Sequence, residues 1–169
     1  MFQLTITVSL SVAAEASALH AIYQEARPYF QQIEGRDPLA PLGDIQTRIP
    51  GIPVDRTFCL TFYHDKQIIG YAWIFAETAT NIYLLHFYIS QANRRQGLGS
   101  ASIHAICQQY QQQGYQTMRL MVSATNYLGL KFWVAVGFTH LCYVEAPPEN
   151  TPTKGIELEL QLDLTTLDV

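Results

Sequence analysis

Between an apolar, aromatic run and a stretch of helical periodicity, the chain carries Arg94, Arg95, Gln96, Gly97, Leu98, Gly99 and Ser100 in succession. A helix N-terminus leaves backbone N–H groups without partners and bears a partial positive charge, so it suits a phosphate. Glycines at 97 and 99 remove side chains that would block the approach, Ser100 adds a hydroxyl, and the two arginines add matching charge. The stretch has the chemistry of a pyrophosphate cradle; a tight turn that holds no ligand is the other use of such a glycine pair. No Gly-Lys-Ser/Thr follows, which excludes a Walker loop, and the glycine spacing does not fit a dinucleotide fingerprint.

Titratable groups are few near this stretch. His86, in the run Asn81 to Ser90, is the one side chain there that titrates near neutrality, which makes it a candidate base. Strict strand alternation turns it away from Tyr83, Leu85 and Phe87, unless a bulge near Tyr88 and Ile89 changes the register; a hydrogen-bonded sheet histidine is the other reading. Tyr83 is a candidate proton donor, with Tyr127 and Tyr143 as alternatives. Glu77 and Asp44 are candidates to attract a cation, or else solvated surface charges. Cys59, Cys107 and Cys142 and the five histidines lack ligand spacing, which predicts buried thiols, a reducing compartment and no metal site.

The elements that position these residues follow from periodicity. Phe2, Leu4, Ile6 and Val8 alternate with polar residues as in a half-buried strand, and Leu19, Ile22, Ala26, Phe30 and Ile33 then recur as one face of a helix kinked at Pro28. Residues 35–56 hold four prolines and three glycines, predicting a long loop with at most a helical turn near Asp44 to Arg48. Two β-rich runs separated by Asp65 and Lys66 predict an antiparallel hairpin, and the run through Asn81 to Ser90 predicts a third meander strand. Beyond the glycines come a helix bearing Ile103, Ile106, Cys107 and Tyr110 on one face, a strand, a short helix ending at Gly137, and two strands. The fold class is α/β (α+β), a mixed and mostly antiparallel sheet with a βαβ unit at its centre, flanked by helices.

With 169 residues, 49% hydrophobic and 14% charged, the chain suffices for one domain spanning residues 1–169. A formal net charge of -4 argues against a general nucleic-acid binder. The N-terminal residues lack a basic region before their apolar run, and the apolar run Ile82 to Ile89 is too short to cross a bilayer, so the expectation is a cytoplasmic protein with no membrane partner.

The central residues resemble the GNAT superfamily of acyl-CoA-dependent N-acetyltransferases, whose motif Arg/Gln-x-x-Gly-x-Gly/Ala is matched by Arg94, Gly97 and Gly99. A downstream family pattern, Asn-x-x-Ala-x-x-Phe-Tyr followed by Gly-Phe, is matched at Asn126, Phe132, Gly137 and Phe138, with Gly129 in the alanine position and Trp133 in that of the tyrosine. The resemblance implies splayed fourth and fifth strands with acetyl-CoA between them. It implies that backbone groups near Tyr88 and Ile89 pair with the pantetheine arm. The amides of Gln96 to Ser100, Leu98 included, would hold the pyrophosphate beside Arg94 and Arg95. Asn126 and the helix carrying Phe132 and Trp133 would flank the thiol.

The same resemblance marks two departures. The family's acid position holds Trp133, whose indole is no proton source at neutral pH, and its common carboxylate positions hold Tyr83 and Leu85. Three readings stand at this point: an N-acetyltransferase acting on a small-molecule or peptide primary amine, a catalytically impaired acyl-CoA-binding sensor or interaction domain, and a structural domain that binds no CoA. A homodimer through the last two strands is the expected assembly, by resemblance and edge chemistry.

Overall fold

The structure, a computed structural model, describes residues 4–146 and 155–167. Among the described residues lie strands β1 (Thr7–Leu10), β2 (Thr57–His64), β3 (Gln67–Ala76), β4 (Asn81–Ile89), β5 (Thr117–Ser123), β6 (His140–Glu145) and β7 (Glu157–Asp163). The helices are α1 (Ala16–Glu34), α2 (Leu98–Gln112) and α3 (Tyr127–Ala135). One mixed sheet runs in the order β1-β2-β3-β4-β5-β7-β6, antiparallel at every junction except β4–β5.

Local chemistry accounts for most boundaries. Asp65 and Lys66 both take left-handed dihedrals (φ 49 and 65), the two-residue turn that matches the twist of a hairpin. Gly35, at φ 67, ends α1, which continues past Pro28 to Glu34. Asp44 caps a 3₁₀ turn at Ile45–Thr47 by accepting from the Gln46 amide. β1 opens at Thr7, later than the alternation predicts, and Phe2 lies outside the described residues.

The sheet is covered unequally. On one face α2 buries Leu98, Ile103, Ile106 and Cys107 against Leu60, Ile74, Leu84 and Leu120, with α3 packed alongside. On the other, Leu19, Ile22 and Ala26 of α1, with Ile45 and Ile52 of the long loop, cover Cys59, Tyr71 and Trp73. That loop is tied down: the Tyr71 hydroxyl donates to the Leu39 carbonyl at 2.7 Å and the Trp73 indole to that of Ala40 at 3.0 Å. Among the described residues no helix covers β5, β7 and β6 on the α1 side, so β5 and β7 present Arg119, Glu157 and Glu159 there, opposite the core-facing Leu120, Leu158 and Leu160.

β4 and β5 pair only from Asn81 opposite Thr117 to Leu84 opposite Leu120. At the same point β4 bulges against β3, because Ile74 faces Leu84 and Trp73 faces His86, which leaves Leu85 as the extra residue. The bulge lies earlier in the strand than the expected position near Tyr88 and Ile89. It turns Leu85 and His86 onto the same α1 side, after which Phe87 points to the α2 side and Tyr88 back to α1.

Two expectations are corrected. β7 is interior, flanked by β5 and β6, so only β6 of that pair offers an edge, with Leu141 and Tyr143 exposed. Cys59 and Cys107 are buried, whereas Cys142, on the β6 edge, is exposed. Gly70 sits opposite Ile89, and a Cβ there would collide with the Tyr88 carbonyl oxygen and come within 2.9 Å of Ile89 Cδ1. Gly70→Ala should therefore cost about 1–3 kcal/mol, read as a lower urea midpoint at unchanged slope.

Candidate functional site

After β4 the chain makes a 3₁₀ turn at Gln91–Asn93, then places Arg95 (φ 59) and Gly97 (φ 79) in the left-handed region before α2 begins at Leu98. Left-handed residues among right-handed ones gather successive N–H groups into an anion-binding concavity. No acceptor among the described residues meets the amides from Gln96 to Ser100, and Gly97 contributes no side-chain cap. These donors face a cleft of about 370 Å³. One end is formed by Arg94, Arg95, Gly97, Gly99 and Ser100, one wall by Phe87, Tyr88 and Ile89, and the other by Leu128, Gly129, Phe132 and Trp133.

The residues expected at the CoA site line this cleft, except Gln96, Leu98 and Asn126. Leu98 is buried in the core, so only its amide turns toward the cleft's end, and the Gln96 side chain is engaged with the Ala92 carbonyl at 3.0 Å. Arg94 does more than supply charge. Its Nε donates to the Ile89 carbonyl at 2.9 Å and its guanidinium lies 4.5 Å over the Tyr88 ring, which clamps the end of β4. Glu25 of α1 completes the clamp by accepting from the Tyr88 hydroxyl (3.3 Å) and the Gln91 amide (2.7 Å). Trp133 packs edge-on against Phe132 at 4.9 Å and Phe87 at 5.5 Å.

Asn126 stands beside the cleft rather than in its lining. Its Oδ1 caps α3 by accepting from the Gly129 amide at 3.0 Å and also accepts from the Tyr29 hydroxyl at 3.0 Å. Tyr29 was not singled out in the sequence, although its place three residues after Ala26 puts it on the buried face of α1. Burial raises its pKa, so it keeps its proton at neutral pH.

His86 and Tyr83 lie elsewhere, in a second pocket of about 170 Å³ on the α1 side of the β4–β5 gap. The His86 ring lies between Tyr71 (4.6 Å) and Phe30 (5.1 Å), is 5% exposed, and its Nε2 has no hydrogen-bond partner among the described residues. Burial pushes its pKa down to about 3, so the imidazole is neutral. The Tyr83 hydroxyl donates to Glu159 at 3.3 Å, and burial with that carboxylate's charge raises its pKa.

Arg119 pairs with Glu159 at 3.1 Å and with Glu77, so Glu77 is tied into a network, and Asp44 is occupied as a cap. Glu157, on the polar side of the β7 alternation, also lines this pocket, and the sequence reading passed over it. Its pKa is raised by burial and by the nearby charge of Glu34. Among the described residues no group of three or more His, Cys, Asp or Glu side chains is placed to hold a metal, and no helix is long and apolar enough to cross a membrane.

The sequence profile of the acetyltransferase (GNAT) family matches residues 19–138, a span that includes the glycine turn before α2, the splay and α3. The chain belongs to the GNAT family. No curated protein sequence matches it. Among solved structures, the GNAT fold here is similar to that of the ribosomal-protein-S18-alanine N-acetyltransferase of Escherichia coli (15% identity, 97% of each chain, TM-score 0.68). It is similar also to an acetyltransferase from Thermus thermophilus (18%, 96% of this chain and 99% of that one, TM-score 0.69). A third similar structure is a GNAT family acetyltransferase from Elizabethkingia anophelis with acetyl-CoA bound (10%, 94% and 97%, TM-score 0.66). The family match ends at Phe138, so β6, β7 and Glu157 of this GNAT chain lie outside it.

The neutral burial of His86 makes a stability prediction. Above pH 6.5 neither state of the chain protonates this ring; as pH falls from 6.5 toward 3 the unfolded chain takes up a proton that the folded one refuses. Stability should then fall by about 1.4 kcal/mol per pH unit from this group alone, over the window between about pH 6.5 and 5 that lies above ordinary carboxylate titration. His86→Phe should flatten that slope in urea unfolding followed across the window.

Proposed function

We propose that this GNAT chain is an N-acetyltransferase that moves the acetyl group of acetyl-CoA onto a primary amine by direct attack in a ternary complex. The observation that carries the reading is the row of unpartnered amides from Gln96 to Ser100 at the end of a cleft that runs along the unpaired edge of β4. Those donors, with Arg95 and Ser100, suit the pyrophosphate, and the cleft walls at Tyr88, Ile89, Phe132 and Trp133 suit the pantetheine arm. Acetyl-CoA would supply the activated thioester. The acceptor, a small-molecule or peptide amine, would approach through the pocket that contains His86 and Tyr83.

In that pocket His86 offers a neutral imidazole whose affinity for protons is far below that of a free histidine, which favours a hydrogen-bonding role toward the acceptor. Tyr83, bound to Glu159, would orient the pocket's acidic side. Placement of amine and thioester on the two sides of one gap supports rate by positioning.

A second reading, an acyl-CoA-binding sensor without turnover, is favoured by Trp133: an indole N–H donates a hydrogen bond and cannot hand a proton to a leaving thiolate. Saturable acetyl-CoA binding with no transfer to any amine would select it.

Gly99 gives the cleaner probe of the cradle, because it lies inside α2, whereas Gly97 has a positive φ that any substitution would strain. A Cβ at Gly99 would already stand 3.4 Å from the Phe132 ring, so a longer acidic side chain must enter the cleft. Gly99→Glu should weaken acetyl-CoA binding about 100-fold or more, roughly 3 kcal/mol, in calorimetric titration while leaving thermal unfolding near that of the parent. Undiminished affinity would remove the cradle from the account.

A further inference from the structure

We propose that Glu157 takes the proton from the acceptor's ammonium nitrogen, and that the pocket on the α1 side of the β4–β5 gap is built for a primary alkylammonium. The inference rests on the acetyl-transfer reading above and assigns the base to a strand outside the family match.

The charges around the pocket single out this carboxylate. Glu34 is paired with Arg36 at 3.1 Å, Asp37 with Arg27 at 3.1 Å, and Glu159 with Arg119 at 3.1 Å. Glu157 has no ion pair or side-chain hydrogen bond to any described residue, although it is half-buried. β4 offers no carboxylate in the same pocket, only Tyr83, Leu84, Leu85 and His86. An unpaired anion held partly out of water attracts a cation, and a primary ammonium is the cation that an acetyl acceptor brings.

Its place in the sheet is also suited to the task. Glu157 stands opposite Ser123, the last pair of β5 and β7, whereas β5 has already parted from β4 after Leu120. The carboxylate therefore sits at the open end of the gap rather than in the paired part of the sheet. The second observation is His86, 5% exposed in the same pocket and with Nε2 lacking any partner among the described residues. A polar atom so buried calls for a ligand's hydrogen-bonding group, and an acceptor nitrogen beside Glu157 supplies one.

Proton affinity agrees with the geometry. Burial, then the negative charge of Glu34 on α1, raises the pKa of Glu157; Arg36 opposes and Glu145 on β6 adds to the rise. Arg48 faces the pocket too, but its guanidinium is bound to the Pro38 and Asp37 carbonyls.

The Glu157 carboxylate takes one proton from the ammonium, and the freed nitrogen lone pair forms the N–C bond to the thioester carbonyl carbon. The C–S bond breaks with its electron pair on sulfur, the nitrogen's second proton ends on that sulfur as CoA thiol, and Glu157 returns its proton to solvent.

The test compares Glu157→Gln with the parent on two primary amines of similar size, benzylamine, which is protonated at neutral pH, and aniline, which is not. For the variant we expect transfer to benzylamine to fall about 100-fold or more at neutral pH and to recover as pH rises toward the amine's own titration. Transfer to aniline and calorimetric affinity for acetyl-CoA should stay near parental values. Equal losses on both amines, or no loss on benzylamine, would overturn the assignment, as would a parent protein that binds acetyl-CoA and acetylates neither. Absence of acetyl-CoA binding in the parent would instead overturn the acetyl-transfer reading itself.

Discussion

The parallel ladder between β4 and β5 ends at Leu84 and Leu120, and from there each strand keeps a partner on one side only: β4 runs on against β3 to Ile89, and β5 against β7 to Ser123. Backbone groups along the freed edges must find water or a ligand, because unpaired polar groups are costly wherever they are buried. The extra residue at Leu85 sets the side-chain pattern along the parted strand. With it, Leu85 and His86 face α1 in succession while Phe87 and Ile89 face α2. Without it, period-2 alternation would exchange those sides, and that wall of the cleft beside α2 would be built from His86 and Tyr88 instead.

The charge distribution follows the same division. The cleft on the α2–α3 side ends in guanidiniums and free amides, whereas the pocket on the α1 side sets Glu34, Asp37 and Glu157 beside Arg36 and Arg48. The net charge of -4 says nothing of this separation, because it averages over the surface. Arg119 bridges Glu77 and Glu159, which leaves that cluster one net negative charge, and Glu157 has no ion pair among the described residues.

Much of this was legible in the residues. The glycine turn into α2 was, because glycine spacing and helix onset are local properties, and so was the hairpin at Asp65 and Lys66, whose turn chemistry is set by two positions. The sheet partners of β7 were not: a strand inserted between β5 and β6 is a non-sequential neighbour, and its own alternation shows which side is polar without showing what that side faces. The bulge left no mark because Tyr83, Leu85 and Phe87 alternate with apolar or aromatic neighbours on both sides, so neither register violates the pattern. Tyr29 was hidden for a related reason: its position on the α1 face is that of an ordinary core aromatic, and only tertiary placement brings its hydroxyl to Asn126.

That last contact has a mechanical meaning. α1 and α3 lie on opposite faces of the sheet, and a continuous sheet would keep their side chains apart. The parted strands leave an aperture, and the Tyr29 hydroxyl reaches Asn126 Oδ1, the same atom that caps α3. The two outer layers are thereby fastened to each other through the middle layer, so a displacement of α1 reaches the first turn of α3 directly, without having to be relayed across strands.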